Sequence, residues 1–103
     1  MVVDLKEILD LCDGFEWDGG NSTKNWLKHK VSWNEIEDVF FNKPLLLKSD
    51  KKHSQIETRY WALGKTNANR GLFMSFTLRG RKIRIISARD QNKKERNVYE
   101  QTA

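Results

Sequence analysis

Glu57 and Arg59 stand one residue apart. On an extended segment alternate residues share a face, which sets the two side chains about 6–7 Å apart along the chain. A carboxylate beside a guanidinium can take a proton while the cation holds a phosphate. The plainer reading is a surface ion pair, which contributes little to stability. His53 stands beside Ser54 in the polar stretch before Glu57, and histidine is the residue type whose ordinary titration near neutrality suits proton transfer. A lone loop histidine is also an ordinary surface residue. Arg79, Arg81, Lys82 and Arg84 follow one another closely. Cations grouped this way can bind a phosphate and offset charge that builds on it; they also keep an edge strand from aggregating. Tyr99 follows Glu95 and Arg96 at helical spacing. It can stack on a base, donate a proton or simply pack on a sheet.

Other chemistries find no support. No Gly-rich phosphate loop, Walker pattern or serine nucleophile motif is present. His29 has no Cys or His partner at ligand spacing, so neither a metal site nor a cofactor is expected. Cys12 is the sole cysteine, which excludes a disulfide framework and a Cys-based zinc site within one chain. A reducing, cytoplasmic setting is the expectation. No apolar run approaches the ~20 residues that span a bilayer. Residues 1–15 carry Asp4, Glu7, Asp10 and Asp13, unlike a secretory leader.

The charge is uneven. Residues 1–78 balance 11 Lys/Arg against 11 Asp/Glu, whereas residues 79–96 hold 8 against 2. This basic block is a candidate phosphate-binding surface, and equally a solvated face.

These groups need a frame. At roughly 100–150 residues per domain, 103 residues make one domain, 1–103. Leu5, Ile8 and Leu9, with Cys12 next in register just beyond, form an apolar stripe in a short helix, Val3 to Leu11. Phe15-Glu16-Trp17 is a short extended piece. Asp18 caps a helix running to about Lys30. Ser32-Trp33-Asn34-Glu35 is a capping-box pattern opening a helix from Trp33 to Phe41, ended by Asn42-Lys43-Pro44. The period then changes to two. Strands are expected at Leu45–Ser49, Ile56–Lys65, Gly71–Leu78 and Arg81–Ala88, with a turn at 66–69 and a tight hairpin at Gly80. In the last strand Arg84 shares a side with Lys82 and Ile86, and Ile83, Ile85 and Ser87 lie opposite. The four Trp residues, with apolar neighbours, are expected in the core. Asn92 to Gln101 reads as a charged helix. Helices, an antiparallel meander and a closing helix make an α+β domain.

The pieces together resemble the BrnT toxin family. The likeness lies in Phe15-Glu16-Trp17-Asp18, Lys24-Asn25-Trp26-Leu27-Lys28-His29, Val31-Ser32 and Val39-Phe40. It continues in His53-Ser54, Glu57-x-Arg59 and Ala62-Leu63-Gly64. It closes with Arg84-Ile85-Ile86-Ser87-Ala88-Arg89, Lys94-Glu95-Arg96 and Tyr99-Glu100, covering about residues 15–100. Two features depart from the family pattern. Lys30 stands where a Gly often follows the Lys-His pair, and residues 1–14 form a helical extension before the first motif.

The resemblance implies a RelE-like, microbial-ribonuclease-like α+β fold, with N-terminal helices packed on a small antiparallel sheet and a C-terminal helix. It implies an RNA-cleaving toxin of a type II toxin–antitoxin system that inhibits translation and arrests growth. The implied partners are the RNA substrate and a BrnA-type antitoxin, a small DNA-binding protein through which alone the toxin meets operator DNA. Cleavage by attack of the RNA's own 2′-OH, without metal, needs a base, an acid and charge stabilisation at phosphorus. The expected catalytic set is His53, Glu57, Arg59, Arg84, Arg89 and Tyr99. Arg59 and Arg84 stabilise the phosphorane with Arg89 nearby, Glu57 or His53 is the base, and His53 or Tyr99 is the acid. Arg79, Arg81, Lys82, Lys93, Lys94 and Arg96 are the expected RNA-binding residues. The alternatives are a nucleic-acid-binding module without catalysis, and an interaction subunit that has kept the fold.

Overall fold

Two helix caps shape the helical layer. In the computed structural model, which describes residues 5–50 and 57–102, Asp18 sits extended at φ −141° and ψ 177°. Its carboxylate accepts the Asn21 N–H at 3.0 Å, and the Asn21 side chain accepts the Asp18 N–H at 2.8 Å. This reciprocal box starts α2, Gly19–His29. Ser32 and Glu35 form a second such box at the start of α3, Trp33–Phe41. α2 ends at Lys30, whose φ of 55° is left-handed. A short helix, α1 (Leu5–Asp10), precedes both.

The strands are β1 (Gly14–Phe15), β2 (Leu46–Ser49), β3 (Arg59–Lys65), β4 (Gly71–Arg79) and β5 (Lys82–Asp90), and α4 (Lys93–Thr102) closes the chain. They form one sheet in the order β1-β5-β4-β3-β2. All pairs are antiparallel except β1 with β5. The purely antiparallel expectation is therefore corrected to a mixed sheet. Gly14–Phe15 returns beside β5 only after the rest of the chain has built it, a pairing with no local signal. Gly80 supplies φ +61° for the two-residue β4–β5 turn.

One sheet face is apolar. Ala62, Leu72, Met74, Phe76, Ile83, Ile85 and Ala88 meet Val31, Ile36 and Val39 of the helical layer. Gly64 lets α3 approach: a Cβ there would lie 2.5 Å from the Val39 side chain. Buried asparagines close the rest of the β5 edge. Asn21 Nδ2 donates to the Ile85 carbonyl at 3.2 Å, and Asn25 Oδ1 accepts the Ala88 N–H at 3.0 Å. Unpaired strand groups are thereby satisfied.

A bulge divides β5. Ser75 pairs with Ser87 and Phe76 with Ile85, so Ile86 is left over. Ser87 consequently lies on the same face as Arg84, opposite to the simple alternation expected. Across that face the register sets rows: Arg59, Thr77 and Arg84; then Trp61, Ser75 and Ser87; then Leu63, Phe73 and Arg89. α4 covers the last row, where the Arg89 guanidinium lies 4.3 Å from the Phe73 ring and bonds Glu95 at 2.8 and 2.9 Å.

Candidate active site

The remaining rows of this polar face hold a chain of alternating charges. Arg59 and Arg84 flank Thr77 in one row. With strands about 4.8 Å apart, their Cα atoms are about 10 Å from each other, a span that can bracket a phosphate. Glu57 lies just before β3 and reaches Arg79, its Oε2 being 3.5 Å from Nη2. Glu16, the residue after β1, lies 3.5 Å from Arg79 and 2.9 Å from Arg84 through one oxygen. Asp18 Oδ2 lies 3.0 Å from the same Arg84 nitrogen, Nη1. The sequence runs Asp18, Arg84, Glu16, Arg79, Glu57 across the sheet.

Arg84 is the most enclosed of these, its side chain 19% exposed against 50% for Arg79. Contact with Asp18 pushes its already high pKa further up, so it stays cationic at any working pH. The Asp18 carboxyl is held below its ordinary value first by the Asn21 N–H and then by Arg84.

The expected residues do not all gather here. Glu57, Arg59, Arg79 and Arg84 do. Arg89 lies two rows away, about 13 Å along the strands, with its fork occupied by Glu95; it pins α4 to the sheet. Tyr99 is placed elsewhere. It is 2% exposed, its hydroxyl donates to the Pro44 carbonyl at 2.6 Å, and its ring meets Lys65 at the far end of β3. Packing, rather than proton donation, is what this position offers. Burial raises its pKa. His53 lies outside the described residues.

The basic residues sort in the same way. Lys82 lies 2.9 Å and Arg81 3.8 Å from Asp13, and Arg81 Nε donates to the Leu11 carbonyl at 3.2 Å. The segment after α1 thus occupies both. Lys93, Lys94 and Arg96 are exposed on α4. The tryptophans also depart from expectation. Trp26 and Trp33 are half exposed, Trp17 donates to Glu37 at 2.7 Å beside the core, and Trp61 stands on the polar face.

Two members of the charge chain were not expected: Glu16, and Asp18 as more than a cap. Their own spacing carried the signal, since Glu16-x-Asp18 repeats the i, i+2 arrangement of Glu57-x-Arg59. What was missing was the strand beside them. Among the described residues no group of three His, Cys, Asp or Glu could hold a metal. No helix among them is long and apolar enough to cross a membrane.

The family described as "Ribonuclease toxin, BrnT, of type II toxin-antitoxin system" matches residues 17–95. The chain belongs to the BrnT family. It is thus a ribonuclease toxin of a type II system, the kind of protein that acts on RNA and is paired with an antitoxin. The BrnT match contains Asp18, Glu57, Arg59, Arg79 and Arg84; it leaves out Glu16, Tyr99 and α1. The chain is also similar to the ribonuclease toxin BrnT of Brucella abortus, known from a crystal structure. Identity is 19%, the TM-score is 0.59, and the alignment covers 78% of this chain and 97% of that one. At that identity the likeness bears on the fold, which is α+β as in the Brucella BrnT. No curated protein sequence matches the chain.

Proposed function

We propose that the row of Arg59 and Arg84 is where this toxin cuts RNA, by attack of the substrate's 2′-hydroxyl on the adjacent phosphorus and without a metal ion. The observation that carries this reading is the pairing of two sheet-borne guanidiniums with carboxylates within reach of the same face. A phosphate entering the row displaces the weakly held side of the charge chain and accepts bonds from Arg59 and Arg84. Both cations then stabilise charge that grows on the phosphorane. Glu57 serves as the base that takes the 2′ proton. His53, four positions before Glu57, is assigned on sequence grounds to protonating the 5′ leaving oxygen; Tyr99 is not. Lys93, Lys94 and Arg96 hold flanking phosphates and make binding salt-dependent. A BrnA-type antitoxin is the matching partner, and operator DNA is met through the complex. The setting is the cytoplasm, and loss of translation with growth arrest is the expected cellular effect.

The test is cleavage of a structured and an unstructured RNA with chelator present, with product ends mapped. Fragments ending in 2′,3′-cyclic phosphate are expected. Arg59→Ala and Arg84→Ala are each expected to slow cutting by on the order of 100-fold. Near-normal turnover in Arg84→Ala, or products requiring added metal, would defeat the assignment.

A further inference from the structure

Arg84 touches two carboxylates, and only one of them is rigidly mounted. Asp18 divides its oxygens: Oδ1 accepts the Asn21 N–H at 3.0 Å, and Oδ2 lies 3.0 Å from Arg84 Nη1. Asn21 is itself fixed to the strand that carries Arg84. Its Nδ2 donates to the Ile85 carbonyl at 3.2 Å and to the Glu16 carbonyl at 3.0 Å, and the residue is 5% exposed. The start of α2 is therefore bolted to β5 one residue from the guanidinium. Glu16, by contrast, shares a single oxygen between Arg84 and Arg79. Both carboxylates use Nη1. Among the described residues Nε and Nη2 have no partner, and that edge of a guanidinium is one that grips an oxyanion through two parallel bonds.

We infer that Asp18 is a positioning residue for RNA cleavage, holding Arg84 by Nη1 so that its Nε and Nη2 face the reacting phosphate. This rests on the reading of Arg84 given above. Asp18 touches no substrate; it acts through Arg84, and its second task, capping α2, is separable by substitution. Asparagine and serine cap helices about as well as aspartate, but neither carries the charge that holds the guanidinium. Glu16 remains in place in either variant, so orientation is loosened rather than abolished.

The experiment measures kcat, KM and Tm of the full chain on RNA for Asp18→Asn, Asp18→Ser, Asp18→Ala, Arg84→Ala and the double variant Asp18→Asn/Arg84→Ala. Asp18→Asn and Asp18→Ser are expected to keep the wild-type Tm and KM while kcat falls about tenfold. A loss of that size fits a guanidinium loosened by less than about 1 Å, since a full misplacement of about 1 Å costs on the order of 100-fold. Asp18→Ala is expected to show the same loss of kcat with a lower Tm. In the Arg84→Ala background, Asp18→Asn is expected to change nothing further, because coupled residues are not additive. Wild-type kcat in the two capping variants would make Asp18 a cap alone. A full tenfold loss added on top of Arg84→Ala would show that it acts by another route. Wild-type activity in Arg84→Ala would remove the reading of the site itself, and this proposal with it; an inactive Arg84→Ala beside a fully active Asp18→Asn removes only the proposal.

Discussion

Tyr99 shows how far a single side chain can stand from its apparent role. Its spacing from Glu95 and Arg96 matched a helix face above a basic surface, where a phenol could serve as an acid. The structure seals it against Pro44 and Lys65 instead. Its hydroxyl bond, at 2.6 Å in a nearly closed site, contributes on the order of 1 kcal/mol. Tyr99→Phe is therefore expected to lower stability by about that amount and to leave the cleavage rate unchanged. Paired thermal melts and rate measurements check both halves; a rate loss at unchanged fold would restore Tyr99 to the chemistry. The arginines differ from one another for the same reason. Arg84 meets Glu16 and Asp18 through Nη1, with no partner on its other edge among the described residues, whereas both ends of the Arg89 fork are taken by Glu95.

Local rules gave the elements well. The Ser32–Glu35 box, the Gly80 turn and the alternation of Leu72, Met74 and Phe76 all act within a few residues, so α3, β4 and the hairpin stand where chain-local physics puts them. The candidate site was legible only where it too was local, as in Glu57-x-Arg59. Glu16 joins through a parallel pairing with a strand almost 70 residues away, which no local pattern encodes. Lys30 marks a place where a local rule is broken. It takes the left-handed end of α2, at φ 55°, where a side chain is strained and glycine is favoured. Lys30→Gly is expected to stabilise the protein by about 0.5–1 kcal/mol. Its carbonyl bond to Arg70, at 2.8 Å, uses the backbone and survives the change. A thermal shift upward of a few degrees is the readout; a downward one would mean that Lys30 stacked on Trp26 outweighs the backbone term.

At the scale of the whole molecule, Arg70 joins what the caps and strands leave separate. It bonds Asp90 at 2.7 Å, Glu35 at 3.0 Å, and the carbonyls of Lys30 and His29 at 2.8 and 3.3 Å. The end of α2, the start of α3 and the end of β5 meet on one guanidinium. The Asp90 carboxyl is held below its ordinary value chiefly by Arg70, against a smaller effect of burial. Burial pushes Glu35 up, but the Ser32 N–H and Arg70 together bring it below the usual range. Both carboxyls therefore bind protons less readily when folded than when unfolded. Their stabilisation is complete above the unfolded values near 4 and is lost as pH falls through the lower folded values. Arg70→Gln is expected to cost about 2 kcal/mol at neutral pH and to move the acid-unfolding midpoint upward. The gap between the two proteins narrows once both carboxyls are protonated. Equal acid midpoints would show that other carboxyls govern the acid transition.

Five steps separate Arg84 from Arg89, an odd number, and in an unbroken strand they would look in opposite directions. The leftover Ile86 absorbs one step. Before it, odd-numbered positions point into the core; after it, even-numbered ones do, as Ile83, Ile85 and Ala88 record. The strand thus contains a phase boundary, made by one unpaired residue rather than by any particular side chain. Were Ile86 paired like its neighbours instead of bulged, Arg89 would fall opposite Leu72 and drive a guanidinium into the apolar layer, while α4 lost the cation that fastens it. The bulge therefore keeps the charged face and the helix that borders it on the same side of the sheet.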